Sequence, residues 1–131
     1  MSPQDLLYAE THEWVRVAPE GGRKVATVGI TGFALQQLTD LVHMVLPKVG
    51  AQVSSGAPFG EVESVKAVSD LYSPVDGEVV AVNSELVNKL ESLPSDPYEG
   101  GWMMKVAISD ESSLQKLMDA AAYEKQCAAE G

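Results

Sequence analysis

Proline and glycine punctuate the middle of this chain so closely that they do most to constrain its fold. Pro47, Gly50, Gly56, Pro74 and Gly77 divide LVHMVLP, APFGEVESV, AVSDLYSPV and GEVVAVN, four strand-like runs. Short strands at this spacing, with turn residues between them, predict a sandwich or barrel rather than a parallel α/β sheet. Upstream, HEWVRV and KVATVGI are two further β-rich runs, and the Pro, Glu and paired Gly of the intervening APEGGR signal a hairpin loop.

Helix is expected in two places only. TGFALQQL carries Phe33, Leu35 and Leu38 after Thr31, a candidate N-cap, which predicts a short helix near residues 31–38. SDESSLQKLMDAAAYEKQ opens with capping residues and spaces Leu114, Leu117, Met118 and Ala121 by three and four, which predicts an amphipathic C-terminal helix at about 110–125. Between them, the polar, two-proline stretch NSELVNKLESLPSDPYEGG reads as a long surface loop, followed by the closing strand WMMKVAI. No boundary, repeat or low-complexity tract divides the 131 residues, so one domain is expected.

Composition limits the chemistry. A formal net charge of −10 argues against nucleic acid and anionic membrane surfaces, both of which need a positive patch. Proteins with basic docking faces are the better partners. The single cysteine, Cys127, excludes an internal disulfide and fits a reducing compartment. No apolar run reaches membrane-spanning length, and MSPQDLLYAE lacks the features of a signal peptide; a bacterial cytoplasm is expected, with a processed mitochondrial matrix chain second. His12, His43 and Cys127 have none of the spacings of a zinc site. VGITG lacks the glycine pattern of a dinucleotide fold, and no nucleophile-elbow motif occurs. The many carboxylates single out no acid/base pair, so no catalytic residue is assigned.

One residue stands apart. Lys66, in ESVKAVSD, is the only basic residue between Lys48 and Lys89, and the surrounding segment from Glu61 to Glu78 holds five carboxylates. EVESVKAVSDLY reads as two strands meeting at a tight turn with Val65 and Lys66 as its central pair. A free amine of pKa about 10.4 is almost wholly protonated at neutral pH, and nearby carboxylates keep it so. Lys66 is therefore a poor catalytic amine. It is either a solvated turn lysine or the acceptor for a group that another enzyme attaches.

The wider pattern bears on that choice. LPKVGAQVSSGAPFGEVESVKAVSDLYSPVDGEVVAVN resembles the lipoyl and biotinyl carrier domains through Val49, Gly50, Val53, Gly56, Lys66, Ser73, Pro74, Gly77 and Val79. Biotin acceptors carry methionines beside the lysine, whereas this chain has Val65 and Ala67. The longer stretches THEWVRV, ATVGITGFALQQL, ESVKAVSDLYSPVDGEVVAVN and DPYEGGWMMKV are similar to the H-protein family of the glycine cleavage system. The resemblance implies a barrel-sandwich hybrid of two small antiparallel sheets, with the two helices flanking it. It implies a non-catalytic carrier, expected to be monomeric, in which Lys66 holds lipoate as an amide made by a lipoyl ligase or transferase. Such an arm takes an aminomethyl group from the pyridoxal-phosphate glycine decarboxylase (P-protein) to the aminomethyltransferase (T-protein), and is reoxidised by dihydrolipoamide dehydrogenase (L-protein).

The same resemblance assigns roles residue by residue. Thr11, Glu13 and Asp70 match positions lining a cleft that shelters the loaded arm, where carboxylates suit a cationic aminomethyl nitrogen. Glu63 and Gly77 match positions associated with recognition by the lipoylating enzyme, although a solvated strand residue and a turn glycine would account for them equally. Gln37, Gly32, Val45, Leu90 and Pro94 depart from the family's usual residues. An alternative reading is an H-like protein that relays lipoate to other complexes; it keeps the Lys66 turn but does not need the cleft carboxylates.

Overall fold

Two antiparallel sheets make up the core of the computed structural model, which describes residues 6–38 and 40–130. The larger has six strands in the order β1-β2-β3-β9-β8-β5: β1 Leu7–Tyr8, β2 Glu13–Glu20, β3 Arg23–Ile30, β5 Gln52–Val53, β8 Asp76–Val82 and β9 Met104–Asp110. The smaller has the order β4-β6-β7, from Leu41–Val45, Pro58–Ser64 and Val68–Tyr72. Their facing sides enclose Val15, Val28, Val62, Leu71, Val79 and Val106, all buried. This is the barrel-sandwich arrangement expected, with one sheet twice the size of the other.

The first hairpin is tighter than APEGGR suggests. Strand β2 continues through Ala18, Pro19 and Glu20, and only Gly21 and Gly22 turn the chain, both at positive φ (59° and 80°). Two consecutive positive φ angles match the right-handed twist of the flanking strands, which is why two glycines sit there. Near the other end of the pair, Trp14 lies over Gly29: a Cβ on that glycine would stand 2.5 Å from the indole. The indole N–H donates to the Pro97 carbonyl at 2.9 Å and so ties a distant loop to β2.

The expected short helix is present as α1, Gly32–Leu38, and Thr31 caps it through its hydroxyl, which accepts the Ala34 N–H at 3.3 Å. Two other expectations are corrected. The stretch read as a surface loop forms two 3₁₀ segments, Ser84–Asn88 and Leu90–Ser95, closed by i to i+3 bonds such as Leu86 N–H to Asn83 O. Leu86, Leu90 and Leu93 point from them into the core. Their apolar surface gains more from burial than the polar residues between them lose, so the segment packs against β4 and α1 rather than standing as a solvated loop.

The C-terminal helix does not begin near 110. Glu111–Lys116 is a 3₁₀ segment capped by Asp110, and Leu117 is extended at φ −87°, ψ 154°. Met118 then exchanges two backbone hydrogen bonds with Tyr8 at 2.8 and 2.7 Å. Only afterwards does α2 run, Ala120–Glu130, with Asp119 accepting the Ala122 N–H at its start. The periodic apolar residues are shared between two clusters: Leu114 and Leu117 pack on the main core, Met118 against Tyr8, Trp14 and Tyr123. Pairing with β1 replaces a helical turn, and Tyr123 stacks on Tyr8 with ring centroids 4.5 Å apart.

Candidate functional site

The smaller sheet presents Lys66. Strands β6 and β7 pair Glu63 with Val68, and the Ser64 N–H donates to Ala67 O at 2.8 Å, so Val65 and Lys66 are the two central residues of the turn, as the sequence predicts. Neither has positive φ, so no glycine is required. The buried Ser64 hydroxyl instead organises the tip: it accepts the N–H groups of Lys66 and Ala67, each at 3.2 Å. The Val65 N–H donates to Asp40 O at 3.0 Å, anchoring the turn to the segment ahead of β4. A rigid base thus carries an exposed side chain, and among the described residues the Lys66 ammonium forms no ion pair.

Thr11, Glu13 and Asp70 come together, around a cavity of about 180 Å³ that Ile30, Gln37 and Leu71 also line. Asp70 belongs to β7, the strand that leaves the Lys66 turn. Glu13 is the unusual group. It opens β2 and is 1% exposed, yet its side-chain partners among the described residues are uncharged: the Thr11 hydroxyl donates to Oε1 and the Tyr72 N–H donates to Oε2 at 3.1 Å. Burial raises its pKa from 4.5 to about 7, against the opposing effect of the hydrogen bonds from Thr11, Tyr72 and its own backbone. Its carboxyl also joins the sheets, since Tyr72 ends β7 and Glu13 begins β2. A larger hollow of about 550 Å³, between Leu86, Leu93 and Trp102, holds none of the candidate residues.

Sequence reasoning missed the groups that hold this cavity's rim. His12, between Thr11 and Glu13, sits at φ 77°, a conformation rarely adopted by residues other than glycine. Its ring meets the Tyr123 hydroxyl at 2.7 Å and Glu130 at 3.0 Å, and it packs on Phe33. The Tyr123 hydroxyl is 2.6 Å from Thr31 Oγ1, and the Thr31 N–H donates to His12 O at 3.0 Å. Helix α2 therefore grips both the turn before β2 and the cap of α1. No local signal could have paired His12 with a tyrosine 111 residues away. His43 is exposed on the edge strand β4.

Glu63 and Gly77 are not neighbours in the fold. Glu63 is half-buried on β6, in register with His43 and Val68, while Gly77 belongs to β8 in the other sheet. Gly77 is a strand residue rather than a turn glycine: a Cβ there would stand 2.1 Å from Ala107 O and 2.8 Å from Val106 Cγ1, so close strand packing alone demands glycine. Among the described residues, no group of three or more His, Cys, Asp or Glu gathers as a metal site would require, and no helix is long and apolar enough to cross a membrane.

The glycine cleavage H-protein family matches residues 6–130. The chain is 57% identical to the glycine cleavage system H protein of Rhodopirellula baltica, over 98% of this chain and 97% of that one. It is 52% identical to that of Marinobacter nauticus, over 98% and 96%. Among solved structures, the glycine cleavage system H protein of Mycobacterium marinum superposes with a TM-score of 0.83 at 39% identity, covering 97% of this chain and 99% of that one. The chain belongs to the glycine cleavage H-protein family, and is a lipoyl-carrying shuttle subunit of the glycine cleavage system rather than a catalyst.

Proposed function

We propose that Lys66 carries the lipoate, as an amide on its Nζ, and that Thr11, Glu13 and Asp70 shelter the far end of the arm between visits to the enzymes. The observation that carries this is the exposed Lys66 side chain, without an ion pair among the described residues, on a hydrogen-bonded turn one strand away from a cavity containing a buried carboxyl group. The bound group would supply the group-transfer chemistry, a dithiolane that opens to take up an aminomethyl group and is reoxidised afterwards.

The chain's own residues supply position and shelter. Lys66 and Asp70 are four residues apart along a strand, roughly 13 Å at full extension. A lipoyl-lysine side chain of about eleven bonds spans a similar distance, on the order of 13 Å. The arm can therefore fold back along β7 into the cavity. Glu13, held by the Thr11 hydroxyl and the Tyr72 amide, waits there largely without a countercharge. A cationic amine brought in on the arm gives it one, in a charge-assisted hydrogen bond. Asp70, exposed at the mouth, draws the cation in.

Membership of the glycine cleavage system implies P-, T- and L-protein partners. The net charge of −10 supports docking on basic faces of those enzymes. A lipoyl ligase or transferase as the installing enzyme, the chain acting as one monomeric carrier domain, and a bacterial cytoplasmic setting complete the reading, the last supported by bacterial relatives. The test is intact mass after incubation with lipoate, ATP and a lipoate–protein ligase. Wild type should gain one lipoyl group. Lys66→Arg should keep its fold and gain none, because a guanidinium is not an acylatable amine under these conditions. An adduct on another lysine of the variant, with glycine–bicarbonate exchange retained, would overturn the assignment.

A further inference from the structure

Among the described residues, five large apolar side chains are more than two-fifths exposed: Val42, Val45, Val49, Val65 and Val68. Four of these belong to the three-stranded sheet and its turn, and three of them, Val42, Val65 and Val68, crowd the end that carries Lys66. Scattered exposed valines need no explanation, but a cluster does. Strand preference accounts for Val42 and Val68 in part. It does not account for Val65, which is 65% exposed at a central position of a tight turn, where Pro, Asp, Asn, Ser or Gly is favoured. Both β4 and β7 are edge strands, where exposed valine invites unwanted pairing. A local rule broken at the foot of the acceptor side chain points to function.

Reach decides which partner this surface serves. Enzymes that use the finished arm act at its far end, well clear of the turn. The enzyme that builds it must bring an activated acyl group to Nζ itself, only four methylenes from the backbone, so its active site has to close over the turn. We propose that Val42, Val65 and Val68 form the docking face for the enzyme that acylates Lys66. Glu63 lies in register between His43 and Val68, amid the valines, and Glu61 lies between Val45 and Asp70, so acidic side chains are interleaved with the apolar ones. The complementary partner presents an apolar surface around its acyl pocket, interspersed with lysine or arginine.

This inference rests on the lipoyl-Lys66 reading, and the experiment separates the two. Val65→Asn places a favoured turn residue at the tip, and Val68→Thr keeps the branched strand shape, so both variants should melt as wild type does. Initial rates of acylation by a lipoate–protein ligase with lipoate and ATP are read by mass. The double variant should lose tenfold or more in kcat/KM, mainly through KM, while Val49→Thr, exposed but outside the sheet, should be unchanged. Once fully acylated by long incubation, the double variant should support glycine–bicarbonate exchange within about twofold of wild type. Equal acylation rates would overturn the inference, as would a loss of exchange in the loaded variant matching the loss in acylation, which would assign the patch to the decarboxylase. Absence of any adduct on wild-type Lys66 would instead overturn the lipoyl reading itself.

Discussion

Replacing Glu13 by Gln should stabilise the protein at neutral pH while damaging it as a carrier. The carboxyl is 1% exposed, and burial lifts its pKa from 4.5 to about 7. Between those values the native chain holds a proton that the unfolded chain has released. Its contribution to stability is therefore fully present below about pH 4.5, declines as pH rises, and is lost above about pH 7. A shift of this size corresponds to about 3 kcal/mol. Glutamine fits the same space, with its carbonyl accepting the Tyr72 N–H and its amide donating to a rotated Thr11 hydroxyl, and carries no charge to bury. Urea unfolding of both proteins at pH 5 and pH 8 gives four free energies. The advantage of Glu13→Gln should be about 2.5 kcal/mol larger at pH 8 than at pH 5, where the unfolded carboxyl is already mostly ionised, and taking the difference removes every other titrating group. A difference that does not change with pH would refute the claim that Glu13 is buried without a countercharge. The same substitution should hasten release of formaldehyde and ammonia from the loaded arm by about tenfold or more, if a charged hydrogen bond of roughly 1.5 to 3 kcal/mol is lost.

Asp70→Asn, on an exposed side chain, should leave the melting temperature unchanged and hasten the same release, in a manner that added salt masks; equal release at low salt would return Asp70 to an ordinary surface role. Gly77→Ala should destabilise the fold by about 3 kcal/mol or more, since its Cβ would meet the Ala107 carbonyl at 2.1 Å. Poor lipoylation of that variant would then follow unfolding, as circular dichroism melts run beside the acylation assay would reveal. Tyr123→Phe keeps the stacking on Tyr8 but leaves Thr31 and His12 each short of a partner, and should cost about 1 to 2 kcal/mol in urea unfolding. It should also loosen the turn that carries Thr11, raising hydrogen exchange at the His12 and Thr31 amides.

The parts of this protein legible in its sequence are those set by neighbours a few residues apart. Turn residues delimit the strands, Thr31 starts α1, and Val65 and Lys66 occupy a tight turn because the runs on either side are strand-forming. Family resemblance then named Thr11, Glu13 and Asp70, and the fold brings them to one cavity. What the chain does with its apolar residues was harder to read. Leu86, Leu90 and Leu93 lie among polar residues and two prolines, and only packing against distant elements, β4 and α1 among them, makes them core. Leu114 to Ala121 has helical spacing, yet Tyr8, more than a hundred residues earlier, pulls Met118 into a strand contact. The character of Glu13 is likewise a tertiary property: its burial depends on Tyr72, 59 residues away, and the turn before it on Tyr123, at a separation of 111 from His12. Propensity and turn chemistry act over one or two turns of chain, whereas desolvation depends on what the rest of the molecule places against a group. The sequence could therefore show where a lysine is presented, and only the packed structure could make the Glu13 carboxyl group reluctant to ionise.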